Sequence, residues 1–179
     1  MNKRVKVILG TVRSERAGLK IADWVMKEVN GYKGNLEFEF IDLKDLKLPF
    51  MDEPLSPMIS DNYVHSHTKQ WSQKIKNSDA FIFVTPEYNH GYSPVLKNAI
   101  DFLFNEWKDK PVGFVGYGGS GARDSIRQLK EVLEFIGFKV MEEQVGIGKI
   151  WEAVDEEGNV KKENIRGSLH TLLSQIEKN

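Results

Sequence analysis

Along the chain, short apolar runs alternate with longer stretches in which apolar residues return every three or four positions. The first pattern predicts buried strands and the second amphipathic helices. Val5 to Leu9, Ala80 to Thr85 and Val112 to Tyr117 read as strands covered on both faces, as in a parallel sheet. Leu36, Phe38 and Phe40 alternate with Glu37 and Glu39, a period-two pattern that an edge position in the sheet would explain. Phe138 to Met141 and Gln144 to Ile150 supply a further pair of strand segments. Helical spacing links Leu19, Ala22, Val25, Met26 and Val29, then Val95, Leu96, Ala99, Ile100 and Leu103, then Ile126, Leu129, Val132, Leu133 and Ile136. Pro94 suits the first turn of the second of these, where a missing N–H costs nothing. Two more helices are predicted, from Tyr63 to Asn77 around Trp71 and Ile75, and from Lys162 to Glu177, burying Ile165, Leu169, Leu172, Leu173 and Ile176.

Five strands separated by helices predict one α/β domain over residues 1–179, a doubly wound five-stranded parallel sheet with helices on both faces. The expected strand order is the flavodoxin-like 2-1-3-4-5, which brings the loops after strands one, three and four to one edge. Gly10 to Gly18 is the first loop. Its amides meet the positive end of a helix, and Thr11, Arg13, Ser14 and Arg16 add donors, so a phosphate is the expected guest. The second loop, Pro86-Glu87-Tyr88-Asn89-His90-Gly91-Tyr92, offers flat rings and backbone amides to a planar ligand. The third, Gly116-Tyr117-Gly118-Gly119-Ser120-Gly121-Ala122, is rich in glycine.

Two familiar patterns nearly fit that third loop. Gly116, Gly118 and Gly121 match G-x-G-x-x-G, with Glu142 and Glu143 about twenty residues on, but a dinucleotide fingerprint belongs on the first βα turn. Gly118 to Ala122 is one residue from G-x-S-x-G, and Asp155 and His170 follow in hydrolase order. The chain is short for that fold, and His170 falls in a predicted helix. Taken together, the phosphate loop, the ring loop and the donor loop match the parts of FMN in that order.

Residues 42–62 hold Pro49, Pro54 and Pro57 and the acids Asp42, Asp45, Asp52 and Glu53, without a sustained period. So long a connection is expected to border the site or a partner subunit. The spacing of His65 and His67 cannot aim both at one metal from a helix, so no metal site is expected and both are read as solvated.

Composition narrows the classes. The 25 Lys and Arg against 26 Asp and Glu give a net charge of -1, which makes no electrostatic case for nucleic acid or a membrane surface. With no cysteine there is no disulfide, thiolate metal site or cysteine nucleophile. MNKRVKVILG has too short an apolar run for a signal peptide, and no stretch approaches a membrane span, so a cytoplasmic protein is expected.

GTVRSERAG, VTPEYNHGYSPVLKNAIDFL and EWKDKPVGFVGYGGSGARDSIRQLKEVLEFIG resemble the NADPH-dependent FMN reductase family, and within it the yeast-type NAD(P)H:quinone reductase branch. The likeness runs from Val5 to about Val145. It implies bound FMN, hydride transfer from NAD(P)H to a small-molecule electron acceptor, and a homodimer, or a homotetramer, whose partner chain helps wall the flavin. Thr11, Arg13, Arg16, Ala17 and Gly18 would hold the phosphate. Pro86, Glu87, Tyr88 and Asn89 would line the isoalloxazine, mainly through backbone, while Tyr117, Gly118 and Gly119 would contact its pyrimidine side. The flavin carries the chemistry, so no side chain is expected to be catalytic. The alternatives are an FMN-binding electron carrier or redox sensor without pyridine-nucleotide turnover, which a net charge of -1 supports little, and a hydrolase built on Ser120.

Overall fold

The computed structural model describes residues 2–179. β1 (Lys3–Leu9), β2 (Leu36–Asp42), β3 (Ala80–Pro86), β4 (Pro111–Tyr117), β5 (Lys139–Ile147) and β6 (Ile165–Arg166) form one sheet in the order β2-β1-β3-β4-β5-β6. The first five strands are parallel, in the expected 2-1-3-4-5 order with β2 at the edge. The two expected segments, Phe138 to Met141 and Gln144 to Ile150, merge into the single strand β5, with Phe138 and residues 148–150 outside it. Its register against β4 shifts between Val112 and Phe114, which interrupts the alternation without ending the strand.

The sixth strand corrects the expected five. Two residues run antiparallel to β5, pairing Gly146 with Arg166 and Ile147 with Ile165. The last helix therefore does not begin at Lys162. A single 3-10 turn (Lys162–Asn164) precedes β6, Gly167 then takes φ +82°, and α6 spans Leu169–Lys178 with Ser168 as its cap. Only glycine fits this turn, since a Cβ on Gly167 would lie 2.0 Å from the Gln144 carbonyl oxygen.

The other helices are α1 (Ala17–Asn30), α2 (Leu43–Leu46), α3 (Ser66–Lys76), α4 (Pro94–Asp101) and α5 (Arg123–Ile136). α3 starts later than Tyr63 because the Glu53 carboxylate accepts the amides of Val64 and His65 at 2.9 and 3.1 Å and holds them outside the helix. The strand alternation sorts side chains into two cores. Val5, Val7, Leu9, Ile82, Val84 and Val115 meet Ile21 and Val25 of α1 and Leu172 and Ile176 of α6. Ile8, Phe81, Phe83 and Phe114 meet α3, α4 and α5 through Trp71, Leu96, Ile100 and Leu129. In α1 the buried stripe is shifted from the expected one: Leu19 is exposed, while Ile21 and Trp24 are buried.

The long connection is tied down by side chains. Asn98 accepts from the Met51 amide at 3.0 Å and donates to the Pro49 carbonyl at 2.7 Å. His65 and His67, read as solvated, are half-buried. Their Nε2 atoms lie 3.2 Å from the Asp52 carbonyl oxygen and 3.0 Å from its carboxylate, and the two rings stack at 5.2 Å. Asp52 gives both imidazoles an anchoring partner, which the i, i+2 spacing alone could not reveal.

Candidate functional site

Because β1, β3 and β4 are neighbours, the loops that follow them meet at the carboxyl edge of the sheet. Thr11, Arg13, Arg16, Ala17, Pro86, Glu87, Tyr88, Tyr117, Gly118 and Ile150 enclose a cleft of about 130 Å³ there.

The first loop leaves donors unspent. α1 begins with no side-chain cap and no acid in its first turn, and among the described residues its Ala17 and Gly18 amides have no partner, while Leu19 donates to the Arg16 carbonyl at 3.2 Å. The Arg13 side chain is exposed and, among the described residues, forms no ion pair or hydrogen bond. Thr11 is buried, and its Oγ1 lies 2.7 Å from the Tyr88 hydroxyl, which joins the first loop to the second. Arg16 differs. Its Nη2 donates to the Asp42 carboxylate at the end of β2 and its Nη1 donates to the Thr11 carbonyl at 3.1 Å. The Arg16 and Asp42 side chains are each only 8% exposed. Gly18 sits beneath the cleft because a Cβ there would lie 2.1 Å from the Tyr117 hydroxyl.

The second loop is closed on itself. Tyr88 and Gly91 exchange two backbone hydrogen bonds of 2.9 Å around Asn89 and His90, with φ of 50° and 62°. Two consecutive positive φ angles are what a two-residue hairpin turn demands. The Glu87 carboxylate turns toward α5, accepting the amides of Asp124 and Ser125 at 2.9 and 3.3 Å. It caps that helix from outside, since Ala122 at its start has no capping side chain. His90 Nδ1 lies 2.8 Å from the Asp124 carboxylate, and the Gln128 amide donates to the His90 carbonyl at 2.6 Å. The hydrogen bond with Asp124 raises the His90 pKa above 6.5 and lowers that of Asp124 below 3.8.

In the third loop, Gly118 donates to Ile147 at 3.1 Å, and Lys149 and Ile150 donate to Gly119 and Gly118 at 3.1 and 3.3 Å. The sheet ladder thus continues past β4 and brings Ile150 to the cleft. Among the described residues, no partner meets the amides of Gly119 and Ser120. Burial, aided by Tyr88, raises the Tyr117 pKa despite the opposing pull of Thr11, Arg16 and Arg13, so its hydroxyl stays neutral.

Of the residues singled out in the sequence, nine line the cleft: Thr11, Arg13, Arg16, Ala17, Pro86, Glu87, Tyr88, Tyr117 and Gly118. Gly18 lies behind Tyr117. Asn89 is at the exposed tip of its turn, and Gly119 is at the rim beside Trp151, whose Cζ3 would lie 3.9 Å from a Cβ there. Ile150 and Asp42 were missed: one lay in an apolar run read as strand, the other in the connection with no assigned role. Ser120 is exposed. His170 packs edge-on against Tyr32 at 5.3 Å, just past the far end of α1. A helix of 14 residues spans roughly 21 Å, so the two do not meet in a triad.

The model of the family described as NADPH-dependent FMN reductase matches residues 3–152. An NAD(P)H-dependent FMN reductase of Schizosaccharomyces pombe is 45% identical over 76% of this chain and 68% of its own length. An NAD(P)H-dependent FMN reductase of Saccharomyces cerevisiae is 35% identical over 77% of each. The solved structure of FerB, a flavoenzyme NAD(P)H:(acceptor) oxidoreductase from Paracoccus denitrificans, superposes with a TM-score of 0.75, at 28% identity and with 98% of both chains covered. The matched span contains all three loops of the cleft, and the chain belongs to the NADPH-dependent FMN reductase family.

Proposed function

We propose that the chain is an FMN-dependent NAD(P)H oxidoreductase working by a ping-pong cycle, with quinones, free flavin, azo compounds or metal oxyanions as acceptors. The observation that carries this reading is the division of donors in the cleft. Unspent cationic and amide donors on the first loop face a wall of tyrosine and backbone from the other two. That donor set fits FMN. The Thr11 hydroxyl, the Arg13 guanidinium and the amides of Ala17 and Gly18 suit a phosphate dianion. Pro86 to Asn89 and Tyr117 to Gly119 suit a flat ring, with the Gly119 amide, which has no partner among the described residues, in the loop before α5 favouring developing negative charge. Bound FMN would supply the hydride chemistry, and the chain's own groups would bind it, orient it and keep Tyr117 protonated beside it.

The cleft, about 130 Å³, is smaller than ordinary ligand pockets of roughly 300–1,000 Å³. Part of the cofactor would then lie over the open rim, where NAD(P)H and a flat acceptor can approach in turn. A second copy would cover the remainder. Support comes from exposed Phe50, Leu55, Met58, Ile59 and Phe135, and from an apolar hollow of about 380 Å³ shared by Val12 of the first loop with Leu48, Phe50 and Val95. Exposed apolar surface around a hollow marks an interaction site, and this hollow adjoins the cleft through Val12. The proposed assembly is a homodimer or homotetramer, built from one domain spanning 1–179 and working in the cytoplasm. Among the described residues no helix is long and apolar enough to cross a membrane.

The test is the absorbance spectrum of the purified or FMN-reconstituted protein, followed by NADPH and then NADH without oxygen. Rapid bleaching of the flavin on either addition is expected. A protein that takes up no FMN contradicts the reading of all three loops, and bound FMN that does not bleach favours an electron carrier.

A further inference from the structure

Arg16 and Asp42 form a buried ion pair between the first loop and the end of β2, 26 residues apart in sequence. The pair is costly to build. Two charges leave water, and their mutual attraction offsets that cost only with good geometry and further hydrogen bonds. Asp42 meets two demands with its two oxygens. Oδ1 accepts the Lys44 amide at 2.9 Å and so caps α2, while Oδ2 takes Arg16. Arg16 likewise spends Nη2 on Asp42 and Nη1 on the Thr11 carbonyl, 3.1 Å away. The guanidinium thus spans the loop from its far end to its beginning. Arg16 is also the residue before α1, so the pair holds the start of that helix, whose Ala17 and Gly18 amides have no partner among the described residues.

We infer that Asp42 is a positioning residue for phosphate recognition: through Arg16 it locks Thr11 and the start of α1 into the shape that receives the FMN phosphate. This rests on the functional reading above. In this account Arg13 is the loop's free cation, and Arg16 is a brace whose geometry matters more than its charge. A simple phosphate-binding role for Arg16 predicts the opposite sign for one variant. Asp42 would then compete with the phosphate for Arg16, and removing its charge would tighten FMN binding.

The experiment titrates flavin-free protein with FMN and with riboflavin, which carries the same ring and no phosphate. Asp42→Asn keeps the size of the side chain and an acceptor for the Lys44 amide. It is expected to weaken FMN by about tenfold or more, the scale on which removing an outer partner of a ligand-holding group acts elsewhere. Riboflavin affinity is expected to stay within about twofold, since only phosphate contacts depend on the brace. Arg16→Lys keeps the charge and can pair with Asp42, but a single ammonium lacks the fork that bridges Asp42 and Thr11. It should show the same selective loss, and it supplies the readout if Asp42→Asn does not fold. Unchanged or tighter FMN binding in the folded variants overturns the inference, as does an equal loss of FMN and riboflavin. Should the unaltered protein bind both flavins equally, the phosphate reading of the first loop fails and the brace for phosphate recognition falls with it, an outcome distinct from failure in the variants alone.

Discussion

The two walls of the cleft are built on opposite principles. On the first loop, donors are left unspent: among the described residues the Arg13 side chain and the Ala17 and Gly18 amides have no partner, while Arg16 and the Thr11 hydroxyl are tied back. On the second, the polar groups that shape the turn are already used. Tyr88 bonds Gly91, Glu87 caps α5, and His90 is held by Asp124 and Gln128. A wall with unspent donors recognises charge, because its amides and cation gain a partner only when an anion arrives. A wall with satisfied donors recognises shape, because its backbone cannot relax to follow a ligand. A cofactor with a phosphate at one end and a rigid ring at the other meets both.

The sharpest break of this comparison is Arg13→Ala. Charge-assisted hydrogen bonds contribute roughly 1.5–3 kcal/mol, so FMN affinity should fall about 10- to 100-fold. Riboflavin affinity should hold. Equal losses for the two flavins would place Arg13 elsewhere than on the phosphate side.

A smaller effect is expected from Glu87→Ala on the shape wall. Loss of the cap on α5 should cost about 1 kcal/mol of stability and lower the Tm by roughly 2–4 °C. The FMN-to-riboflavin preference should not change, because the residue serves the helix rather than the anion. Thermal denaturation followed by flavin titration checks both halves, and a changed preference would break the division between the walls.

The smallest effect concerns pH. Asp124 raises the pKa of His90, so the stability this contact contributes is complete below 6.5 and is lost as pH rises through the higher folded value. Asp124 itself is depressed, so its share is present above 3.8 and is lost as pH falls through the lower folded value. The turn is therefore held best between these limits. An NMR titration should place the His90 midpoint above 6.5, and Asp124→Asn should move it down. A midpoint that does not respond to the substitution would mean that Asp124 does not hold His90, leaving the turn to Gln128 and the backbone pair between Tyr88 and Gly91.

Much of this arrangement could be read from local patterns. The apolar run Ala80 to Thr85, the polar loop behind it and the helical spacing after Pro94 place the second loop at the sheet edge from sequence alone. The parallel strand order followed from alternation of strands and helices. What escaped depends on partners distant in the chain. Asp42 looked like one acid among four in a connection, and its role appears only when β2 lies beside β1 and brings it to Arg16. His65 and His67 looked solvated until Asp52 folded against them. β6 carries two residues, too few for any period, and Gly167 had no local signal for the close approach to Gln144 that ends the strand. Periodicity reports which face is buried, and it does not report which group lies opposite.

The most direct measurement is the dissociation constant of the unaltered, flavin-free protein for FMN beside that for riboflavin, taken at one salt concentration. The account predicts that FMN binds at least about 100-fold more tightly, the combined worth of two charge-assisted contacts of roughly 1.5 kcal/mol or more each from the first loop. Equal affinities would mean that the unspent donors meet no phosphate, and the division of the cleft into a charge wall and a shape wall would be wrong.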